Sequence, residues 1–159
     1  MAKFGSAAAG WTPINHADGA SSLADNSYSA VRTTTASTIQ ICEVSVSGEA
    51  TSSTVNRMAL RRLSTNATTP TDVVPAKFNP LSAAAVTQGY RAASTGPTIA
   101  STDHLLHVGI NAFGGIYRWV AAPGEEIWAT GQTAPSGQII LDSVSGTGVV
   151  STHIIFEEL

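Results

Sequence analysis

The run LLHVGINAFGGIYRWVAAPGEEIWATGQTAPSGQIILDSVSGTGVVSTHIIF, residues 105–156, decides the fold. Apolar segments of strand length alternate with Gly114-Gly115, Pro123-Gly124, a Gly/Pro-rich link and Gly146-Thr147-Gly148. These residues reverse a chain because glycine tolerates positive φ and proline fixes its own φ. An isolated hairpin is marginal in water, so segments this closely joined must pair with one another in an antiparallel sheet.

Side-chain alternation then sorts the faces. Leu106, Val108, Ile110 and Ala112 share one face, opposite Leu105, His107 and Gly109. Tyr117 and Trp119 oppose Ile116, Arg118 and Val120, while Ile139 and Leu141 oppose Ile140 and Val144. Val150, Ile154 and Phe156 oppose Val149 and Ile155. A one-sided sheet would alternate apolar with polar, so apolar residues on both faces predict that both are covered. A second sheet covers one face; copies of the chain or a larger scaffold are expected on the other.

Upstream, the pattern is weaker. Residues 1–28 show no periodicity and read as an extended N-terminal arm, with Phe4, Trp11 and Ile14 docking it on its own sheet or on a neighbour. Residues 29–159 form a single β-sandwich domain. Within Thr38 to Ser47 the alternation changes phase at Ile41 and Cys42, so either a bulge resets it or both faces are buried. Thr54 to Leu63 alternates, placing Arg57 and Arg61 away from Met58 and Leu60, on a solvated strand face or in an intersubunit salt bridge. Ser64 to Pro80 reads as a loop, and a helical turn is expected between Pro80 and Gln88.

Composition limits the function. Charged residues make up 12% of the chain, against roughly 25% in an average soluble domain. A net charge of -3 gives no footprint for a nucleic-acid backbone or an anionic membrane. Cys42 is the single cysteine, so the fold does not depend on a disulfide. The start, Met1 to Trp11, lacks the continuous apolar core of a signal peptide.

The chemistry-bearing residues form no catalytic set. His104 and His107 stand three apart on an expected strand, which sends their side chains to opposite faces and argues against a shared metal. No Gly-x-Ser-x-Gly elbow, phosphate-cradling loop or dinucleotide fingerprint occurs. Glu125 and Glu126 are adjacent and would diverge on a strand, unlike a glycosidase pair. No catalytic residue, cofactor or metal is predicted. Tyr117, Trp119 and Trp128 suggest an aromatic platform for sugar, which gives the alternative reading of a tail-associated receptor- or carbohydrate-binding module.

The segment from Asn111 through Phe113-Gly114-Gly115-Ile116-Tyr117-Arg118-Trp119 to Ile127, with Ser145-Gly146-Thr147-Gly148 and the ending Ile154-Ile155-Phe156-Glu157-Glu158, resembles small structural proteins of tailed bacteriophages. The resemblance implies an all-β, antiparallel, jelly-roll-like sandwich that decorates and cements a capsid as a homotrimer, with the major capsid protein as partner. It also implies a protein made in the host cytoplasm and located on the virion surface. On this reading Ile116, Trp119, Ile140 and Ile155 are the expected trimer contacts.

Overall fold

The computed structural model describes residues 1–15, 28–66, 68–95, 97–98, 104–131 and 136–159. The protein is all-β, as expected. Its strands are β1 (Ala2–Trp11), β2 (Tyr28–Arg32), β3 (Thr38–Gly48), β4 (Val55–Arg62), β5 (Thr68–Val73), β6 (Ala76–Lys77), β7 (Gln88–Thr95), β8 (Leu106–Asn111), β9 (Ile116–Val120), β10 (Ile127–Thr130), β11 (Gln138–Ser145) and β12 (Val150–Glu158). No helix occurs among the described residues.

Two antiparallel sheets stack as a sandwich. The first runs β10-β3-β12-β1-β6, with β9 also paired to β3; the second runs β5-β7-β2-β11-β4-β8. Early strands pair with late ones, β1 with β12, β2 with β11, β3 with β9 and β10, and β4 with β8. A long hairpin rolled onto itself pairs in this way, which is the jelly-roll arrangement.

The core lies between the sheets. Phe4, Val44, Val46, Ile154 and Phe156 come from the first, and Val31, Met58, Leu60, Val108, Ile139 and Leu141 from the second. Phe4 stacks on Phe156 with centroids 5.7 Å apart. Each such side chain contributes about 1.5–3 kcal/mol on full burial.

The phase change near Cys42 is a bulge. Ile155 opposes Glu43 and Phe156 opposes Ile41, so Cys42 is the extra residue of β3. Its carbonyl accepts from Ala121 N–H at 2.9 Å.

Three expectations change. The segment expected to be an arm is strand β1 over Ala2–Trp11, registered against β12 and, at Phe4 and Gly5, against β6. Small side chains pack there without giving a hydrophobic period. Gly10, at φ 57°, shifts the register so that Trp11 turns into the core. Residues 16–27 of the expected arm lie outside the described residues.

The Ser64 to Pro80 loop contains β5 and β6. Pro70 is tolerated because β5 is an edge strand whose register breaks between Pro70 and Thr71. The expected helical turn after Pro80 is an irregular loop. There Ser82 N–H donates to Asn79 O, and Lys77 Nζ donates to the carbonyls of Pro80 and Ser82 at 3.2 and 3.0 Å.

Candidate interaction surfaces

The two outer faces of the sandwich differ. On the second sheet, Tyr28, Ala30, Ala59, Arg61, Tyr90, Ile140 and Asp142 are all fully buried within the single chain. Arg61 Nε donates to Asp142 Oδ1 at 3.0 Å. Burial pushes the Asp142 carboxyl up to about 6, although the Arg61 guanidinium pulls against that rise. Tyr90 hydroxyl donates to Gln138 Oε1 at 2.6 Å, and burial raises its pKa. Arg32 lies over the Tyr90 ring at 5.5 Å.

This face corrects two expectations. Ile140, expected at a trimer contact, is fully buried within the single chain, where it is closed to a second copy. Arg61 is a buried ion-pair partner, not part of a solvated face, while Arg62 on the opposite side of β4 reaches the first sheet and donates to Trp128 O at 2.6 Å. Over β2, β11 and the second half of β4 the second face of this sheet is thus covered without a second copy, while Arg57, His107 and Gly109 remain exposed.

The outer face of the first sheet is open. It carries Lys3, Gly5, Ala7 and Ala9 from β1, Ser151, His153, Ile155 and Glu157 from β12, Glu43, Ser45 and Ser47 from β3, and Ile116, Arg118 and Val120 from β9. Lys3 pairs with Glu157 at 3.2 Å. Arg118 grips Glu43 with two donors, Nε at 2.7 Å and Nη2 at 2.6 Å, which holds the Glu43 carboxyl below its ordinary range. The His153 imidazole lies over Gly5, where any Cβ would collide with it. A shallow depression of about 190 Å³ is lined by Ala7, Ala9, Ser45, Ser47, Ser151 and His153.

Two of the expected trimer contacts belong to this open face: Ile116 is 78% exposed and Ile155 is half-buried. Trp119 does not. It points inward with Tyr117 and packs against the core. Trp128 opposes Gln40 on the outer side, 47% exposed. The three aromatics therefore cannot form one sugar platform, because β9 turns two of them into the sandwich.

The residues assigned to arm docking separate as well. Phe4 and Trp11 are buried in the protein's own core, where they are closed to a neighbour, while Ile14, beyond the end of β1, is 45% exposed.

His104 and His107 also depart from expectation: their rings stack in parallel with centroids 5.1 Å apart. His104 precedes β8, so strand alternation does not govern it. Among the described residues no cluster of three or more histidine, cysteine or acidic side chains could hold a metal.

Exposed apolar side chains gather toward the two ends of the sandwich. At the end where β3 meets β9 stand Val55, Phe113 and Ile116. Phe113 sits in a turn fixed by Asn111, whose Oδ1 accepts from Phe113 N–H and whose carbonyl accepts from Gly115 N–H. Gly114, at φ 76°, makes that reversal possible. At the other end, residues 74–86 expose Val74, Phe78, Leu81 and Val86, with Leu81 at 93%. That loop is tied down at both flanks, by Phe78 N–H donating to Lys3 O and by Val86 and Thr87 N–H donating to the Glu158 carboxylate.

Sequence reasoning missed this second patch. The available signal was Val74, Phe78, Leu81 and Val86 spread around Pro75 and Pro80, in a stretch with no period that could bury them. No family model, curated protein or solved structure matches the chain.

Proposed function

We propose that the chain is a non-enzymatic structural protein of a bacteriophage virion, a homotrimeric capsid decoration protein that bridges and stabilises coat subunits. One observation carries this reading: the sandwich presents ordered apolar side chains at both of its ends. A strand of ten residues spans about 30 Å, so the two patches are far enough apart to reach different coat subunits.

Bridging stabilises by binding. A protein that occupies only the assembled shell adds its binding free energy to the work of opening that shell. Contacts at two ends must both break before the subunits part. Apolar side chains suit this task because their burial needs no matching charge, and patches of this kind on a soluble protein mark interaction sites.

The resemblance in residues 111–127 and 145–158 supplies the partner class, a phage coat lattice. The test is reconstitution. Purified protein is added to capsids stripped of it, and retention is measured with Phe78→Asp/Leu81→Asp and Phe113→Asp/Ile116→Asp variants. Each pair is expected to weaken retention at least tenfold; full retention by both pairs would remove the bridging role.

A further inference from the structure

We infer that the open outer face of the first sheet is where one copy of this chain packs against another. This deepens the structural reading above and rests on it for its biological meaning.

The face is built flat. Gly5, Ala7, Ala9, Ser45, Ser47 and Ser151 occupy its centre, and the one larger group there, His153, is laid down over Gly5. Ile155, Ile116 and Val120 add apolar area, the last two forming a ridge along β9. The depression of about 190 Å³ lies across β1, β12 and β3, directly beside that ridge, with Ser47 in its lining opposite Ile116. A cavity of roughly 150 Å³ already accepts a benzene ring, so an isoleucine side chain fits this one. Ridge and depression sit on different strands, so each copy supplies the ridge that another copy's depression receives.

Area agrees. Four strand widths about 4.8 Å apart, β1, β12, β3 and the line of β9 with β10, at about nine residues each and about 3.3 Å per residue, give roughly 570 Å² per copy. Two copies then bury about 1,100 Å², above the floor of about 1,000 Å² for a specific interface and at the small end of the range.

Charge selects the occupant. Lys3 pairs with Glu157 and Arg118 with Glu43 within the chain, so these four charges cancel on the face, and the further carboxylate of Glu49, bonded to Ser151, stands at its margin. A second copy meets that neutral surface without like-charge repulsion. The other sheet is already buried on its outer face over β2, β11 and the second half of β4, and stays open at Arg57, His107 and Gly109.

The experiment measures mass in solution by sedimentation equilibrium for the full chain and for Ala7→Arg, Ser45→Arg and Leu81→Asp. The wild type and Leu81→Asp are expected as multimers. Ala7→Arg and Ser45→Arg, which force an unpaired guanidinium into the contact, are expected to weaken association at least about a hundredfold. A photo-crosslinking residue at Ala9 guards against misfolded variants: in an otherwise unchanged chain it should join two copies. A monomeric wild type, an unchanged multimer in Ala7→Arg, or no Ala9 crosslink would each overturn the inference. Copies that crosslink through this face but ignore stripped capsids would support it while overturning the capsid reading.

Discussion

Arg61 on β4 and Asp142 on β11 reach each other diagonally across the two strands, Arg61 standing opposite Ile140 and Asp142 opposite Ala59, with Nε and Oδ1 3.0 Å apart and neither side chain in solvent. Taking both charges out of water costs several kcal/mol per ion, and their attraction only partly offsets this. Such a pair therefore fixes register more than it adds stability. Asp142→Asn should destabilise the fold by about 3–5 kcal/mol because it removes the carboxylate that balances a buried guanidinium. Arg61→Met with Asp142→Leu should restore most of that loss. Urea unfolding of the three proteins checks both expectations; equal stability of Asp142→Asn and wild type would contradict the burial.

The same pair sets a pH dependence. Asp142 is raised in the folded state from 3.8 to about 6, so between those values the folded chain holds more protons than the unfolded one. Its contribution to stability is therefore largest below the unfolded value and declines as pH rises through about 6. Glu43, lowered by Arg118, has the opposite sign, but a surface pair contributes only about 0–1 kcal/mol. Comparing wild type with Arg61→Met/Asp142→Leu from pH 4 to 7 isolates the effect: the wild type should lose ground as pH rises. A difference that stays constant with pH would contradict it.

Removing residues 2–11 should abolish cooperative unfolding, because Phe4 and Trp11 leave the core and β12 loses a neighbour along most of its length. Circular dichroism during heating reports the outcome. A truncated chain that still melts sharply near the wild-type temperature would return this segment to the role of an arm.

The Cys42 thiol is raised mainly by burial, so its thiolate is scarce at neutral pH. Alkylation at pH 8 should be much slower in the folded protein than in urea. Equal rates would mean that the bulge leaves the sulfur open.

What the sequence could reveal depended on contrast. In β8, β11 and β12, large aliphatic residues mark the faces, so strands and register were legible, and the phase break at Cys42 announced its bulge. β1 was hidden because between Phe4 and Trp11 its inward residues are only Ser6 and Ala8 and its outward ones glycine and alanine, which together give no hydrophobic alternation. Arg61 read as a solvent-facing residue because its partner lies 81 positions away, and no local pattern reveals a buried pair. Of the expected contact residues, Ile116 and Ile155 lie on an outer face, where period-two alternation placed them. Ile140 was misplaced because alternation says which face a side chain takes, not whether the chain itself covers that face.

Cryo-microscopy of the particle carrying this protein tests the central claim most directly. The account predicts density for the sandwich on the capsid surface, with residues 74–86 at one end and Phe113 with Ile116 at the other each seated on a coat subunit. Density on the tail, or a sandwich touching the shell at one end only, would contradict it.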